Sequence, residues 1–384
     1  MPTTDPQLAT PETLEGNRNW QRWLLLVLLI YVMLLAVSLI GSGFQYAAGE
    51  QAKTLFTFAS NPVMGLIIGM VSTALIQSSS TVTSIIVGMV AGGLPITIAV
   101  PMMMGANIGT SITNTLVSLG HVAKKDEFQR AFNAATVHDF FNVLSVLIFL
   151  PLEMAFGVLE FLSGHIVSLL HSAEGVGISG FNPIKAATQP LSDAVTSALQ
   201  FLPSIYPGIV KILIGIALIM ISITYMGKIM KSLLVGKAKE VLHKSVGQGP
   251  LSGIASGAFM TVLVQSSSTT TSLMVPLVGT GVLKARDIYP FTLGANIGTC
   301  ITALIAALGV VGVNSGVALQ IALVHLIYNV LGVTVIYGVP ALRNIPLMLS
   351  YQLSVLASET KLYGAAYVGG VFFLFPLSII FTFI

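Results

Sequence analysis

The sequence predicts an all-α protein that crosses a membrane several times and is built from two repeats. Of its 384 residues, 54% are hydrophobic and 8% are charged, and the mean hydropathy is +0.90. A soluble domain carries roughly 25% charged residues, so this composition places the chain in a lipid bilayer. Two identical pentapeptides, Gln77–Thr81 and Gln265–Thr269, begin 188 residues apart within uncharged apolar runs. A period of this length indicates two domain-sized halves rather than a solenoid.

The first repeat is expected to cover residues 21–172. Residues 1–20 are polar, which predicts a disordered cytoplasmic tail. A first crossing follows near Trp23–Ile40, and the apolar segment 61–94 is interrupted in its middle by the first pentapeptide. The interruption predicts a re-entrant helical hairpin with the pentapeptide at its tip, because polar backbone at membrane depth survives only where protein or a wet cavity covers it.

A second motif, Gly-Ala-Asn-Ile-Gly-Thr, occurs at residues 105–110 and again at residues 294–299. Two glycines and an asparagine inside an apolar helix favour local loss of helical hydrogen bonds. We therefore expect each repeat to contain a partly unwound transmembrane helix. The second repeat should cover residues 207–360, with its own re-entrant hairpin at residues 251–283.

The ends of the two halves complete this arrangement. An external linker at residues 173–206 is expected to join the repeats, and residues 361–384 are expected to form a C-terminal transmembrane helix. The single cysteine excludes an intramolecular disulfide framework. Long apolar runs argue against an outer-membrane barrel, whose strands alternate apolar and polar residues.

Charge placement indicates that the repeats have inverted topology. Residues 228–248 contain five lysines and residues 121–130 contain two lysines and an arginine. The equivalent segments of the other repeat, 41–53 and 309–315, contain one lysine and none. Cytoplasmic loops carry excess Lys and Arg, so equivalent loops should face opposite sides, as in many secondary transporters. This interpretation places the N-terminus in the cytoplasm. The long apolar runs predict a multi-pass protein of a cell inner membrane.

The pentapeptides combine hydroxyl groups, an amide and the start of a helix. Such a tip binds an anion through hydroxyl and backbone N–H groups, while its oxygen atoms also suit a hard cation. A site with neutral ligands favours joint binding of an anion and cations, since each offsets the other's charge. Close helix packing by small residues is the alternative for a single serine run, but the duplication favours binding.

Two ionisable residues lie at membrane depth. His138 and Asp139 indicate either structural hydrogen bonding or a gating or proton role, and both interpretations stay open. His325 is the equivalent histidine, but leucine follows it. A Ser–His dyad for intramembrane hydrolysis is the enzymatic alternative, and it is disfavoured because nothing singles out one serine as a nucleophile. The chain is therefore expected to have no enzymatic activity and no catalytic residue.

The chain resembles the type II sodium–phosphate cotransporters, and the short linker is typical of a bacterial member. The resemblance rests on both pentapeptides, both glycine hexapeptides and the run Ala135–Asn142. It implies coupled inward movement of sodium and inorganic phosphate. The implied phosphate-binding residues are Ser78, Ser79, Ser80, Thr81, Ser266, Ser267, Ser268, Thr269, Asn107 and Asn296. The implied sodium-binding residues are Gln77, Gln265, Asn107, Asn296, Thr110 and Thr299.

The expected function is sodium-coupled uptake of inorganic phosphate by alternating access. The alternatives are a transporter or exporter of another oxyanion and a non-transporting membrane scaffold. No cofactor is expected, because sodium acts as a co-substrate. The expected partners are phosphate, sodium and the lipid bilayer, without nucleic acid, and the sequence leaves the oligomeric state open.

Overall fold

The computed structural model describes residues 11–48, 61–174, 183–203, 205–245, 249–310 and 314–383. All regular secondary structure in these ranges is helical. Seven of the described helical segments are long and apolar enough to cross a membrane. The predicted all-α, polytopic fold class is therefore confirmed.

The helices of the first half follow the order of the predicted elements, with a 3-10 turn at Leu119–His121. They are α1 Pro11–Ala48, α2 Pro62–Ile76, α3 Ser79–Ala91, α4 Ile96–Thr110, α5 Ile112–Ser118, α6 Lys125–Phe156 and α7 Val158–Glu174.

The second half repeats this pattern after one additional helix. Its helices are α8 Pro183–Ala198, α9 Tyr206–Ser245, α10 Pro250–Val264, α11 Ser267–Ser272, α12 Met274–Gly279, α13 Ala285–Leu308, α14 Ser315–Gly332, α15 Pro340–Glu359, α16 Lys361–Gly369 and α17 Phe375–Phe383. Two π-helical segments, Val333–Tyr337 and Gly370–Leu374, extend α14 and join α16 to α17.

Equivalent helices pack in equivalent pairs. α1 packs along α9, α2 packs along α4, and α10 packs along α13. The repeats also interlock, because α3 contacts α13 and α14 while α6 contacts α12. A large apolar cluster joins α1, α3, α4, α13 and α14, and it includes the fully buried Val87 and Ala306. This interlocking brings the pentapeptides of both halves into one region.

Both glycine hexapeptides are helical, so the prediction of a partly unwound helix is wrong for the second repeat, whereas the first repeat has a break directly after its hexapeptide. Residues 294–299 lie within unbroken α13, and residues 105–110 form the last turns of α4, with a break only at Ser111. The glycines serve close helix contact instead. A Cβ atom on Gly294 would overlap the carbonyl group of Ile254, with only 2.7 Å to its carbon. Small residues allow such approach between membrane helices.

Several segments predicted as tails or loops are helical. α1 already begins at Pro11, so the second half of the expected disordered tail is helical, while residues 1–10 lie outside the described residues. The lysine-rich segment after residue 228 continues α9 to Ser245 instead of forming a loop. The expected linker contains α8, which contacts α1. For α9 the reason is that no proline follows Pro207 within the helix, and charged residues alone do not end a helix.

Candidate functional site

Each pentapeptide begins at a sharp backbone reversal between two helices. α2 ends at Ile76 and α10 ends at Val264. The next residues, Gln77 and Gln265, adopt left-handed conformations with φ of 60° and 55°. They are the non-glycine residues with positive φ among those described. This conformation costs energy for residues with a side chain, so its occurrence at both equivalent positions marks a shared constraint.

A serine cap follows each reversal. The hydroxyl of Ser78 accepts a hydrogen bond from the backbone N–H of Thr81 at 3.3 Å. The hydroxyl of Ser266 accepts the matching bond from Thr269 at 3.2 Å. Serine is a favoured helix N-cap because its oxygen satisfies one of the free N–H groups of the first turn. The first serine of each motif is thus fixed at the end of its helix.

The two turns line one cavity with a volume of about 370 Å³. α9 forms its third side. The lining residues are Ile76, Gln77, Ser78, Ile223, Thr224, Gly227, Lys228, Lys231, Val264, Gln265, Ser266 and Thr269. The structure therefore brings five predicted site residues from the two halves to one cavity. They are Gln77, Ser78, Gln265, Ser266 and Thr269.

Lys228 and Lys231 were not predicted as site residues. Both side chains are exposed on α9, and Lys228 lies over the ring of Tyr225 with 4.8 Å between its Nζ and the ring centre. The sequence predicts a cytoplasmic loop at these positions and a binding site with neutral ligands. Their three-residue spacing in a segment that contains no proline from residue 208 to residue 249 indicates one face of a helix, but it does not show what packs against that face. Two positive charges at the cavity make it attractive to anions.

The glutamine side chains bridge helices within their own repeats. Gln77 Oε1 accepts the hydroxyl hydrogen of Thr113 at 2.7 Å, and Gln265 Oε1 accepts that of Thr302 at 3.0 Å. Thr113 and Thr302 were not predicted, although they share the 189-residue offset of the glycine hexapeptides. Each tip thereby gathers amide, hydroxyl and carbonyl oxygens, the ligand types that hard cations prefer.

The remaining serines of the motifs do not line the cavity. Ser79, Ser80, Ser267 and Ser268 are buried in the first turns of α3 and α11. Ser268 donates to the backbone oxygen of Thr110 at 3.3 Å. The hydroxyl of Ser80 is buried and has no hydrogen-bond partner among the described residues. These four serines therefore pack inside the protein and are not in contact with the cavity.

The predicted threonine ligands are engaged in their own helices. The hydroxyls of Thr110 and Thr299 donate to the carbonyl oxygens of Ala106 and Ala295, each at 3.0 Å. Neither threonine lines the cavity between the tips. In contrast, the hydroxyls of Thr73 and Thr261, one helical turn before each glutamine, are buried without a hydrogen-bond partner among the described residues.

The predicted asparagines are held by the opposite repeat. Asn107 contacts Nε2 of His325 through its Oδ1 at 3.0 Å and donates to Asn329 at 2.8 Å. The second asparagine, Asn296, makes the equivalent contacts with His138 (2.7 Å) and Asn142 (2.8 Å). Both asparagines are buried and neither lines the cavity. The two crossed clusters fasten the repeats together behind the tips.

His138 and Asp139 do not pair with each other. His138 contacts Asn296, whereas Asp139 accepts hydrogen bonds from Thr115 at 3.3 Å and from Tyr367 at 3.0 Å. Asp139 is almost fully buried, and its Oδ1 atom has no hydrogen-bond partner among the described residues. The histidine thus has an asparagine partner in the other repeat, and the carboxylate is hydrogen-bonded to residues of α5 and α16.

Comparison with known proteins decides the family. The family model described as Na+/Pi-cotransporter matches residues 32–166 and 207–354, which is most of the chain. The chain belongs to the Na+/Pi-cotransporter family. The two matched segments contain both tips, both glycine hexapeptides and both crossed asparagine clusters of this cotransporter-family member.

Individual proteins that are similar in sequence to this chain support the same family. Sodium-dependent phosphate transport protein 2B from Homo sapiens is 32% identical over an alignment that covers 93% of this chain and 64% of the relative. The bovine protein 2B, from Bos taurus, is 34% identical with 93% and 64% coverage. Protein 2A from Rattus norvegicus is 32% identical with 90% and 65% coverage. The chain thus spans slightly less than two thirds of these relatives' length. No solved structure matches it.

Proposed function

We propose that this protein is a secondary active transporter that couples sodium entry to uptake of inorganic phosphate. The convergence of both pentapeptide turns and two lysines on one cavity carries the proposal. Ser78 and Ser266 lie at its wall, and Lys228 and Lys231 add positive charge. Hydroxyl donors and ammonium groups together suit a small multivalent oxyanion. The names of the relatives support phosphate as that oxyanion.

Sodium is proposed to bind at the glutamine–threonine pairs beside this cavity. Gln77 with Thr113, and Gln265 with Thr302, offer side-chain oxygens in each repeat. The unpartnered hydroxyls of Thr73 and Thr261 lie four residues before these glutamines and are further candidate oxygen ligands. A cation bound there would raise the affinity for phosphate, because opposite charges attract strongly in low-dielectric surroundings. Sodium and phosphate would then each favour the binding of the other, which is thermodynamic coupling.

Transport is proposed to follow alternating access, in a protein of two repeats with inverted topology and re-entrant hairpins. The duplicated turns and crossed asparagine clusters support two matched units. We propose no enzymatic role, since His138 and His325 contact asparagines rather than the serines of the motifs.

The test is radiolabelled phosphate uptake into proteoliposomes under an inward sodium gradient. Wild-type protein should accumulate phosphate, whereas Ser78→Ala and Ser266→Ala should reduce the initial rate by about tenfold or more, because each loses a hydrogen bond to a charged ligand. Ser272→Ala is the matched control. Its hydroxyl donates to Thr269 within its own hairpin at 3.0 Å and does not line the cavity.

The same vesicles distinguish phosphate from other oxyanions as the transported substrate. Arsenate should compete with phosphate and sulfate should not, because arsenate shares the size and charge of phosphate. Uptake of labelled sulfate instead of phosphate would replace the proposed substrate. Wild-type uptake rates in both serine variants would overturn the assignment of the cavity.

A further inference from the structure

Another cavity, lined by two arginines and two tyrosines, lies away from the pentapeptide turns. Its volume is about 210 Å³. It is formed by the first residue of α10, the first turns of α13, the π-helical segment and α15. The lining residues are Pro250, Arg286, Tyr289, Tyr337, Arg343 and Leu347. None of them lines the cavity between the tips.

Two arginines line this cavity without a carboxylate partner among the described residues. The ion pairs recorded among the described residues all involve Glu127. Arg343 is partly buried, and its Nε atom is buried without a hydrogen-bond partner in the described part of the chain. Its guanidinium carbon lies 5.3 Å from the ring centre of Tyr337. Asp287, the residue after Arg286, does not line the cavity, and its Oδ2 atom accepts the backbone N–H of Lys284 at 3.0 Å.

A buried hydroxyl group at the cavity also has no partner. Tyr289 is fully buried, and its hydroxyl makes no hydrogen bond with any described residue. Its ring is held edge-on against Tyr337, with 5.4 Å between ring centres. Buried tyrosine hydroxyls normally find a partner, since leaving one unsatisfied costs stability. Packing therefore fixes this donor in place while leaving its hydrogen bond unused.

The cavity lies where two candidate membrane spans end. The span Ala285–Leu308 begins beside it, and the span Ser315–Tyr337 finishes beside it. Lipid headgroups occupy this level of a bilayer, and basic pockets between transmembrane helices bind their phosphate groups. At about 30 Å³ for each water, a volume of about 210 Å³ accommodates a phosphate group with a few bound waters.

We propose that this cavity binds a phosphate group, with Arg286 and Arg343 as charge partners and Tyr289 as a hydroxyl donor. Arginine is suited to this role because its planar guanidinium donates two parallel hydrogen bonds to phosphate oxygens. The bound phosphate belongs to the headgroup of an anionic phospholipid. This site is independent of the proposed transport cavity and does not rest on the proposed function.

Thermal unfolding of the purified full chain in detergent tests the site. Phosphatidylglycerol should raise the unfolding midpoint more than phosphatidylcholine with the same acyl chains, because a ligand that binds only the folded state stabilises it. Arg286→Gln and Tyr289→Phe should weaken the apparent affinity for phosphatidylglycerol by about tenfold, as expected for loss of a hydrogen bond to a charged group. Inorganic phosphate is titrated in parallel to identify the source of the phosphate group.

Lys284→Gln is the matched control. It removes one positive charge at the same end of α13 but does not line the cavity, so it should keep the wild-type response. Arg343→Gln is added as a third variant, and Arg286→Gln and Tyr289→Phe decide the outcome if Arg343→Gln fails to fold. Arg286 is exposed, and Tyr289→Phe preserves the packed ring.

The outcomes separate cleanly. Protection by phosphatidylglycerol that is lost in the cavity variants supports the lipid site. Protection by inorganic phosphate alone, with the same dependence on Arg286 and Tyr289, supports the phosphate site and overturns the lipid source. Equal protection of wild type and cavity variants, or equal loss in Lys284→Gln, overturns the site.

Discussion

His138 and His325 hold equivalent positions in the two crossed asparagine clusters. His138→Ala would leave the buried amide of Asn296 without its 2.7 Å partner, and an unsatisfied buried polar group costs about 1–3 kcal/mol. We expect a lower thermal unfolding midpoint in detergent. His325→Ala should have the same effect, because it removes the equivalent partner of Asn107. Thr334→Ala is the control, since its exposed hydroxyl bonds only to its own helix. An unchanged midpoint in both histidine variants would contradict the structural role.

The crossed pairing shows the limit of sequence reasoning at the scale of single residues. The motifs identified Asn107, Asn296, His138 and His325 as polar residues at membrane depth. Their partners could not be deduced, because both repeats carry the same residue types. Pairing within one repeat and pairing across repeats therefore satisfy the sequence equally well. Only the packing of the two halves selects the crossed arrangement.

The same argument applies to the residues that line the candidate cavity. Gln77, Ser78, Gln265 and Ser266 were predicted from the duplicated pentapeptide, and the structure places all four at one cavity. Their binding roles stay predictions. Lys231 was missed because its position depends on where α9 passes the two turns, and that is a tertiary property.

At the scale of a helix turn, the left-handed backbone at Gln265 gives a sharp prediction. Gln265→Val should destabilise the protein by about 1–3 kcal/mol, because a β-branched residue fits poorly at positive φ. Gln265→Gly is the matched control, since glycine adopts this conformation readily but also lacks the amide that Thr302 contacts. The valine variant should unfold at a lower temperature than the glycine variant. The reverse order would mean that the backbone conformation does not govern this turn.

Helix contact gives the next prediction. Gly294→Ala should prevent α10 and α13 from packing at their present distance, because its Cβ atom would overlap the Ile254 carbonyl group. We expect little folded protein, as measured by size-exclusion chromatography in detergent. Gly369→Ala is the control, because a Cβ atom at this helical glycine meets nothing within 4 Å. Equal yields of both variants would contradict the close contact.

These glycines also explain why one structural prediction failed. A glycine inside an apolar segment favours either an unwound helix or a close helix contact, and the sequence does not distinguish them. The positions of the membrane-spanning segments were more predictable, because they follow from apolar composition. The helix ends were less predictable, since α1 already begins at Pro11 and α9 continues well beyond its apolar part to Ser245.

For the whole molecule, basic residues of both halves gather at one end of the helix bundle. Arg130 donates to the carbonyl oxygen of Gly279 at 2.9 Å, which brings the start of α6 next to the end of α12. Lys361 donates to the carbonyl oxygen of Val122 at this end too. At the other end, Asn314 donates to the carbonyl oxygen of Ala91 at 2.7 Å. The basic end is expected to be cytoplasmic because Lys and Arg are enriched on that side.

This polarity makes the predicted inverted topology testable by cysteine labelling. Thr97 and Arg286 occupy equivalent positions at the starts of α4 and α13, and both are exposed. In a Cys300→Ser background, a membrane-impermeant maleimide should label Thr97→Cys only from outside the cell. It should label Arg286→Cys only in inside-out vesicles, together with Lys125→Cys as a control at the same end. Serine is a suitable background residue, because the equivalent position of the first repeat is Ser111. Inverted repeats require equivalent residues to face opposite sides. Labelling of Thr97→Cys and Arg286→Cys from one side would show that the repeats run parallel, and their charge difference would then reflect loop composition alone.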